Sequence, residues 1–541
     1  MGRRHAVVVG AGHNGLTAAN VLADAGWRVT VFEADREPGG AVRSAELAAP
    51  GFQGELGGAF YPLGMVSPAL RALRLEEHGL VWRHAPVGLV HALADGRCAV
   101  LSRDVDQTAA SLAEFATPDG PAWHDMYRQW QRVGLHVLAA LLRPFPPVRP
   151  ALGLLRALGS GADVLRFARW GLLPVRRMGE ERFTGEGGRL LLAGNAMHGD
   201  LGPQAAGSGL FGWMLAMLGQ QVGYPVPEGG AARLTAALVD RLASRGGRLV
   251  CGCPVARIEL RHGRAVGVRL DDGTTDGTVE PADAVLADVA APALYHELVG
   301  MQHLPARLRD DLRRFQWDHG TVKLDWALSA PIPWTARPAR GAAVVHVGGE
   351  MAELSDYAGA LGSGRLPDQP FVLLGQLSTV DPSRAPEGMA SVWAYTHVPW
   401  RLSEPDGWLD EQVRRVEEAI ERRAPGFRSL VVGRHVAGPE ELFRADRNLV
   451  SGAVNGGTAA LHQQLVFRPV PGLARAETPV PGLYLAGASA HPGGGVHGAC
   501  GGNAAAAVLA GQGTAGPARR AGSAAVRLAL RRIYRDTDGG W

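Results

Sequence analysis

The sequence predicts an α/β fold, a Rossmann-type parallel sheet carrying an inserted substrate domain of mixed α+β character. Residues 6–47, "AVVVGAGHNGLTAANVLADAGWRVTVFEADREPGGAVRSAEL", alternate strand, glycine-rich turn, helix and strand. Near the other end, "TPVPGLYLAGASAHPGGGVHGACGGNAAAAVLAG" (478–511) offers one more short apolar strand, a run of glycines and an alanine-rich helix. The blocks between have another character, helical and apolar in 86–224, strand-rich in 301–474.

Ala6–Val9 is a short, fully apolar strand of the kind buried in a parallel sheet. Gly10-x-Gly12-x-x-Gly15 follows, with His13 and Asn14 inside the turn, and Leu16, Ala19, Leu22 and Ala23 recur at helical spacing up to Gly26. Val29–Phe32 reads as the second strand, with Glu33 and Ala34 at its end. A GxGxxG alone is weak. Here it follows a strand, opens a helix and is completed by an acid about 20 residues on, the setting of a dinucleotide fingerprint. Gly10 permits the tight turn, Gly12 lets pyrophosphate reach the main chain, and Gly15 lets the helix pack on the strand. Phosphate then lies at the positive end of the helix, and Glu33 can accept from ribose hydroxyls.

A second pair, Gly39-Gly40, comes with Arg43 and Ser44. An NAD site has no need of it. FAD is longer, and a second glycine loop with an arginine can clasp its pyrophosphate and ribityl chain.

At this point the sequence resembles the FAD-dependent phytoene desaturase and amine oxidase superfamily. "GAGHNGL", "GLYLAG" and "AHPGGGVHGA" narrow the resemblance to the branch like pyridine nucleotide-disulfide oxidoreductase domain-containing protein 2 and bacterial phytoene desaturase-like proteins. The resemblance implies that Gly487 and its neighbour return to the cofactor, that Gly494, Gly495, Val496 and Asn503 belong to the flavin bed, and that the backbone near Val255 meets the adenine. Ala488 stands where the family carries an acid, and Asn455-Gly456-Gly457 replaces a His-Gly beside His462, Gln463 and Gln464. No C-x4-C pair and no second GxGxxG is present, which argues against a dithiol reductase.

On this reading the FAD domain is discontinuous, 1–85, 225–300 and 475–515. A substrate domain spans 86–224 and 301–474, and a basic tail covers 516–541. Trp213, Met214, Met217, Trp326 and Trp393 are read either as core or as the lining of an apolar roof over the flavin. His491 and His497 flank the triple glycine and, with His462, are candidate bases; the alternative is that they shape the loop. In the tail, Val526, Leu530 and Ile533 share one face and Arg527, Arg531 and Arg535 another, a solvated helix or a peripheral membrane contact.

Totals bound the function. The 55 basic and 52 acidic residues leave +3, which makes nucleic acid an unsuitable general partner. Cys98, Cys251, Cys253 and Cys500 form no metal-spaced set; the C-x-C pair is expected on a strand, and all four read as thiols of a cytoplasmic protein. Ala6–Val9 is too short for a signal-peptide core, and Ala205–Pro227, the longest uncharged stretch, reads as a buried helix. The expectation is an FAD-dependent oxidoreductase that takes hydride from a C–H bond of an apolar or aromatic small molecule, with O2 or a quinone as electron acceptor. The alternatives are C–N oxidation of the amine-oxidase kind and a flavoprotein without net redox turnover.

Overall fold

The computed structural model describes residues 3–274, 277–402, 406–511 and 517–534. The elements that position the site open with β1 (His5–Val9), α1 (His13–Asp24) and β2 (Arg28–Phe32). They continue through β3 (Val87–Ala92), β4 (Cys98–Leu101), α2 (Asp119–Leu142), α3 (Val148–Leu158), α4 (Gly161–Leu172), α5 (Ser208–Val222) and α6 (Ala231–Ser244). Next come β5 (Arg248–Val250), β6 (Val255–Arg261), β7 (Arg264–Leu270), β8 (Val279–Pro281) and β9 (Ala284–Ala287). β10 (Gly320–Leu328), β11 (Ala342–Val347), β12 (Val372–Gln376), β13 (Ala390–Val398), α7 (Trp408–Glu421) and β14 (Val431–Ala437) follow, and β15 (Leu483–Leu485), α8 (Ala499–Gly511) and α9 (Pro517–Ile533) close the chain.

Among the described residues, one parallel sheet runs in the order β15-β9-β1-β2-β5. All five residues of β1 are buried, as an inner strand covered on both faces requires. The two ends of the sequence meet here, because α8 lies along α1. A Cβ on Gly501 would stand 1.8 Å from the Asn14 carbonyl oxygen, and one on Gly498 2.5 Å from the Thr17 hydroxyl. The small residues of the alanine-rich helix are what lets two backbones approach this closely.

A second sheet, in the order β14-β10-β13-β12-β11-β3-β4, forms the roof. The 86–224 block, expected to be helical, thus opens with two strands that complete it, β3 pairing parallel with β11. Val87–Ala92 and Cys98–Leu101 are apolar on both faces, since helices cover one and α7 the other, so they lack the alternation that signals a half-exposed strand. Cys251 and Cys253 fall in the turn after β5 rather than on a strand. Trp213, Met214 and Met217 lie in the core of the helical block, where the Trp213 ring packs edge-on against Trp130 at 5.2 Å and Trp170 at 4.7 Å. Trp326 is under the far face of the roof, against Phe427.

The tail is a helix as expected, but its apolar side is already covered. Leu530 is buried, Ile533 packs on Gly472, and the Tyr534 hydroxyl donates to the Pro471 carbonyl at 2.7 Å. That stripe is therefore not offered to a membrane. Nothing is described of the Arg527 and Arg531 side chains, and Arg535 lies outside the described residues. Among the described residues no helix is long and apolar enough to cross a membrane.

Candidate flavin site

β1 delivers the chain into its turn at Gly10, whose φ of +91° suits glycine. A Cβ on Gly15 would meet the Gly10 carbonyl oxygen at 2.2 Å, so strand and helix touch at this point, and Gly12 is the N-cap of α1. At the end of β2, Glu33 accepts the Ala11 N–H at 2.7 Å and the Asp35 N–H at 2.9 Å. Burial raises its pKa, and Asp446 and Asp35 push the same way. Ala34 beside it is exposed. The segment before Val255 is tied to the same place, since the Cys253 N–H donates to the Glu33 carbonyl at 2.9 Å.

The second glycine loop lies against the first, the Gly39 N–H bonding the Ala11 carbonyl at 2.9 Å. Gly39 and Gly40 take φ of +121° and +56°. Arg43 pins this loop: its guanidinium donates to Gly40 O at 2.8 Å, to the Asp35 carboxylate at 2.6 Å and to Ala445 O at 2.6 Å.

Sequence reasoning passed over Asp288. It follows β9 in "AVLADVAAP", and an acid ending an apolar strand at a parallel sheet's carboxyl edge was the available signal. Its Oδ2 accepts the Gly15 N–H at 2.7 Å, and its Oδ1 would lie 3.2 Å from a Cβ on Gly487. The acid absent at Ala488 thus reaches this place from the neighbouring strand. Ala488 contributes its carbonyl, which accepts from Arg468 at 2.8 Å.

Arg468 was also missed. Fully buried, it bonds Asn455 O at 2.8 Å and Thr458 O at 3.0 Å, while Asp318 accepts the Val454 and Asn455 N–H groups at 2.8 and 2.9 Å. These two charges hold the 454–458 turn over the triple glycine. Burial, with Asp200 nearby, pushes Asp318 up to about 6. A Cβ on Gly494 would stand 2.7 Å from the Asn455 Cα, and Gly493 and Gly495 have φ of +118° and +107°. Val496 packs on the sheet's core, and Asn503 turns to the end of α2, donating to Leu142 O at 3.4 Å.

The three candidate histidines separate. His497 is buried, and its Nδ1 accepts the Ala499 N–H at 3.0 Å at the start of α8, so that lone pair is engaged; burial lowers its pKa to about 3. His491 is buried too, and its Nε2 reaches the Arg143 carbonyl at 3.1 Å. A carbonyl only accepts, so Nε2 carries the proton and Nδ1 keeps a lone pair without a partner among the described residues. Burial holds His491 at about 4. His462 is exposed, 3.0 Å from Gln316, and is not brought to the triple glycine. His13 is bonded to the Gly495 backbone, linking the two glycine turns.

The roof face turned to this site carries Trp393 and Tyr395, whose rings lie 5.3 Å apart, and Trp393 donates to Gly57 O at 3.0 Å. Directly across the strands stand Asp325 opposite Trp393 and Lys323 opposite Tyr395. Lys323, paired with Asp325, is buried, and it is the one lysine in the whole sequence. His198 and His346, 2.9 Å apart through their Nε2 atoms, lie deeper in the same domain; burial lowers both.

The chemistry of this place fits FAD. Four buried polar atoms around the two glycine turns, His13 Nε2, Asn14 Oδ1, Asn455 Nδ2 and His491 Nδ1, have no partner among the described residues. The glycines let backbone and side chains close in around the two turns, a Cβ on Gly12 meeting Asp288 Oδ2 at 2.6 Å and one on Gly494 the Asn455 Cα at 2.7 Å, and two helix N-termini, those of α1 and α8, converge there. No cluster of three His, Cys or acidic residues among the described ones can hold a metal.

Comparison with known proteins agrees. A model of the flavin containing amine oxidoreductase family matches residues 15–509. The chain is 30% identical to pyridine nucleotide-disulfide oxidoreductase domain-containing protein 2 of Mus musculus, covering 92% of each. It is 27% identical to all-trans-zeta-carotene desaturase of Myxococcus xanthus, over 91% of this chain and 90% of that one. A solved oxidoreductase from Methanosarcina mazei shares the fold, with a TM-score of 0.61 at 18% identity over 93% of this chain and 99% of that one. The chain belongs to the flavin containing amine oxidoreductase family, as an oxidoreductase with FAD as its cofactor.

Proposed function

We propose that this protein removes hydride from a C–H bond of an apolar or aromatic small molecule, leaving a double bond, with O2 or a quinone as terminal electron acceptor. When bound, FAD supplies the two-electron acceptor. Glu33 and the turn Gly10–Gly15 hold its adenosine and pyrophosphate, while Gly493–Gly495 and Asn455 receive the isoalloxazine. The N-terminus of α8 favours negative charge beside that ring.

The observation that carries the reading is the free Nδ1 of His491. Forming a double bond requires a proton to leave the carbon next to the one that loses hydride, and a neutral imidazole next to the triple glycine whose buried Nδ1 has no partner among the described residues supports His491 as the group that takes it. The relatives named as desaturases support the same reaction type. The Trp393–Tyr395 pair favours a second reading, C–N oxidation of an amine held between aromatic faces.

Anaerobic mixing of the yellow holoprotein with candidate polyenes, terpenes, aromatics and amines tests both. Bleaching with a product two hydrogens lighter at carbon supports desaturation, and an imine or aldehyde product transfers the reading to C–N. A flavin that never bleaches while its ligand isomerises would overturn both in favour of a flavoprotein without net redox turnover.

A further inference from the structure

The large apolar side chains left exposed are concentrated in a few segments: Leu135 on α2, Val148, Leu152 and Leu155 on α3, Leu165 and Leu172 on α4, and 461–467. On α3 the exposed aliphatics fall at i, i+4 and i+7, and on α4 at i and i+7, so each helix turns an apolar stripe outward. Leu165 is 73% exposed and Leu135 75%. The third segment adjoins them, because Leu461 packs over Gly207, whose N–H bonds the Leu172 carbonyl at 3.1 Å. It adds Leu465, Val466 and Phe467.

Charge distinguishes this face from an ordinary surface. Residues 131–182 carry nine arginines against three acids, Asp163, Glu180 and Glu181, a net of six positive charges where the whole chain has +3, and Arg166, Arg169, Arg176 and Arg177 pair with those acids. Arg149 and Arg156 are exposed beside the α3 stripe, and neither has an ion pair among the described residues. Leucines pointing outward with arginines along their flanks make an interfacial surface: the aliphatics enter the acyl boundary while guanidinium groups stay at the phosphates.

We propose that this face, built on α3, α4 and the 461–467 turn, docks the protein on an anionic membrane surface. A twofold contact with a second copy would set the unpaired Arg149 and Arg156 of one stripe against those of the other, whereas anionic headgroups complement them. The face is also continuous with the flavin bed. Arg143 and Phe145, in the link from α2 to α3, hold His491, through the Arg143 carbonyl at 3.1 Å and a ring contact of 6.2 Å. Resting on the apolar-substrate reading, an apolar molecule dissolved in the bilayer would reach the triple glycine along this link without crossing water.

The test is flotation of the holoprotein with phosphatidylcholine vesicles, alone or mixed with phosphatidylglycerol, beside Leu152→Glu/Leu165→Glu and Arg149→Gln/Arg156→Gln. All four positions are exposed, so an unchanged flavin spectrum verifies that the variants fold. The wild type should float with the anionic vesicles and release with salt. The leucine variant should lose more than about tenfold in partition, and the arginine variant about fivefold per charge. Equal flotation of wild type and leucine variant overturns the proposal. So does a wild type that stays off vesicles but sediments as a dimer that the leucine variant dissociates. Flotation involves no substrate, so docking can fail while bleaching by an apolar substrate succeeds, and the reverse.

Discussion

The Asp288 carboxylate accepts the Gly15 N–H at 2.7 Å, so an acid from the end of β9 caps the helix that the phosphate turn opens. A negative charge at that position stabilises the positive end of α1 but stands beside the place where pyrophosphate must go. Burial resolves the conflict by raising Asp288 to about 7, helped by Asp446 and Glu33. Near neutrality the group can take a proton, which leaves the turn able to accept an anion.

The sign of the pH effect follows. FAD adds negative charge next to Asp288 and so favours its protonated form, which makes FAD bind most tightly below about pH 7 and progressively more weakly above, by at most about tenfold per pH unit. Without FAD, the folded pKa of about 7 exceeds the ordinary 3.8, so this group's contribution to stability falls as pH rises between them. Asp288→Asn should flatten both profiles. Fluorescence titration of apoprotein with FAD across neutral pH measures the first, and a parallel slope in wild type and variant would remove Asp288 from the account.

His491→Gln removes the free Nδ1 while keeping a donor toward Arg143 O. Flavin reduction by a desaturation substrate should slow by about a hundredfold or more, with bound FAD and its spectrum unchanged. Because burial holds His491 at about 4, the wild-type rate should show no limb near the usual imidazole value. A limb near pH 6.5, read from stopped-flow reduction, would assign the proton to another group.

Much of this arrangement was legible because it rests on local signals. Gly10, Gly12, Gly15 and Glu33 lie within one strand–helix–strand unit, and their spacing carries their geometry. Asp288, Arg468 and Asp318 escaped because each acts on backbone far away in sequence: Asp288 on Gly15, Arg468 on the 455–458 turn, Asp318 on Val454 and Asn455. No periodicity announces such a contact. The anchoring of Arg43 by Asp35 and Ala445 O escaped for the same reason, since the two meet it only once the chain has folded. The two strands of the 86–224 block were hidden by burial on both faces, which erases the period-2 pattern.

Gly494 tests the close approach of the 454–458 turn. A Cβ at 2.7 Å from the Asn455 Cα meets backbone that cannot rotate away, so Gly494→Val must displace the turn that Arg468 and Asp318 hold. The expected result is purified protein with little bound FAD and no yellow colour, at normal secondary structure by circular dichroism. Full flavin occupancy with an unshifted visible spectrum would sink the flavin-bed assignment.

The Arg384–Glu55 pair joins the roof to the FAD domain and should dominate stability at that joint. Both side chains are fully buried, 2.6 Å apart. Glu55 also takes the Ser44 hydroxyl at 2.5 Å and the Ala231 N–H that opens α6 at 3.1 Å, so one carboxylate fastens three segments. Arg384→Met strands that carboxylate without its cation in a site where burial already raises its pKa, and should destabilise by about 3–5 kcal/mol. The pair is itself imperfect, because Arg384 Nε and one of its terminal nitrogens have no partner among the described residues. Replacing both by apolar groups, Glu55→Leu/Arg384→Met, removes the desolvated charges together and should recover most of the loss, with only the Ser44 and Ala231 donors left unpaired. Urea unfolding of the two single variants and the double, with FAD saturating throughout, closes the cycle. Additive losses would mean that the two charges do not act as a pair.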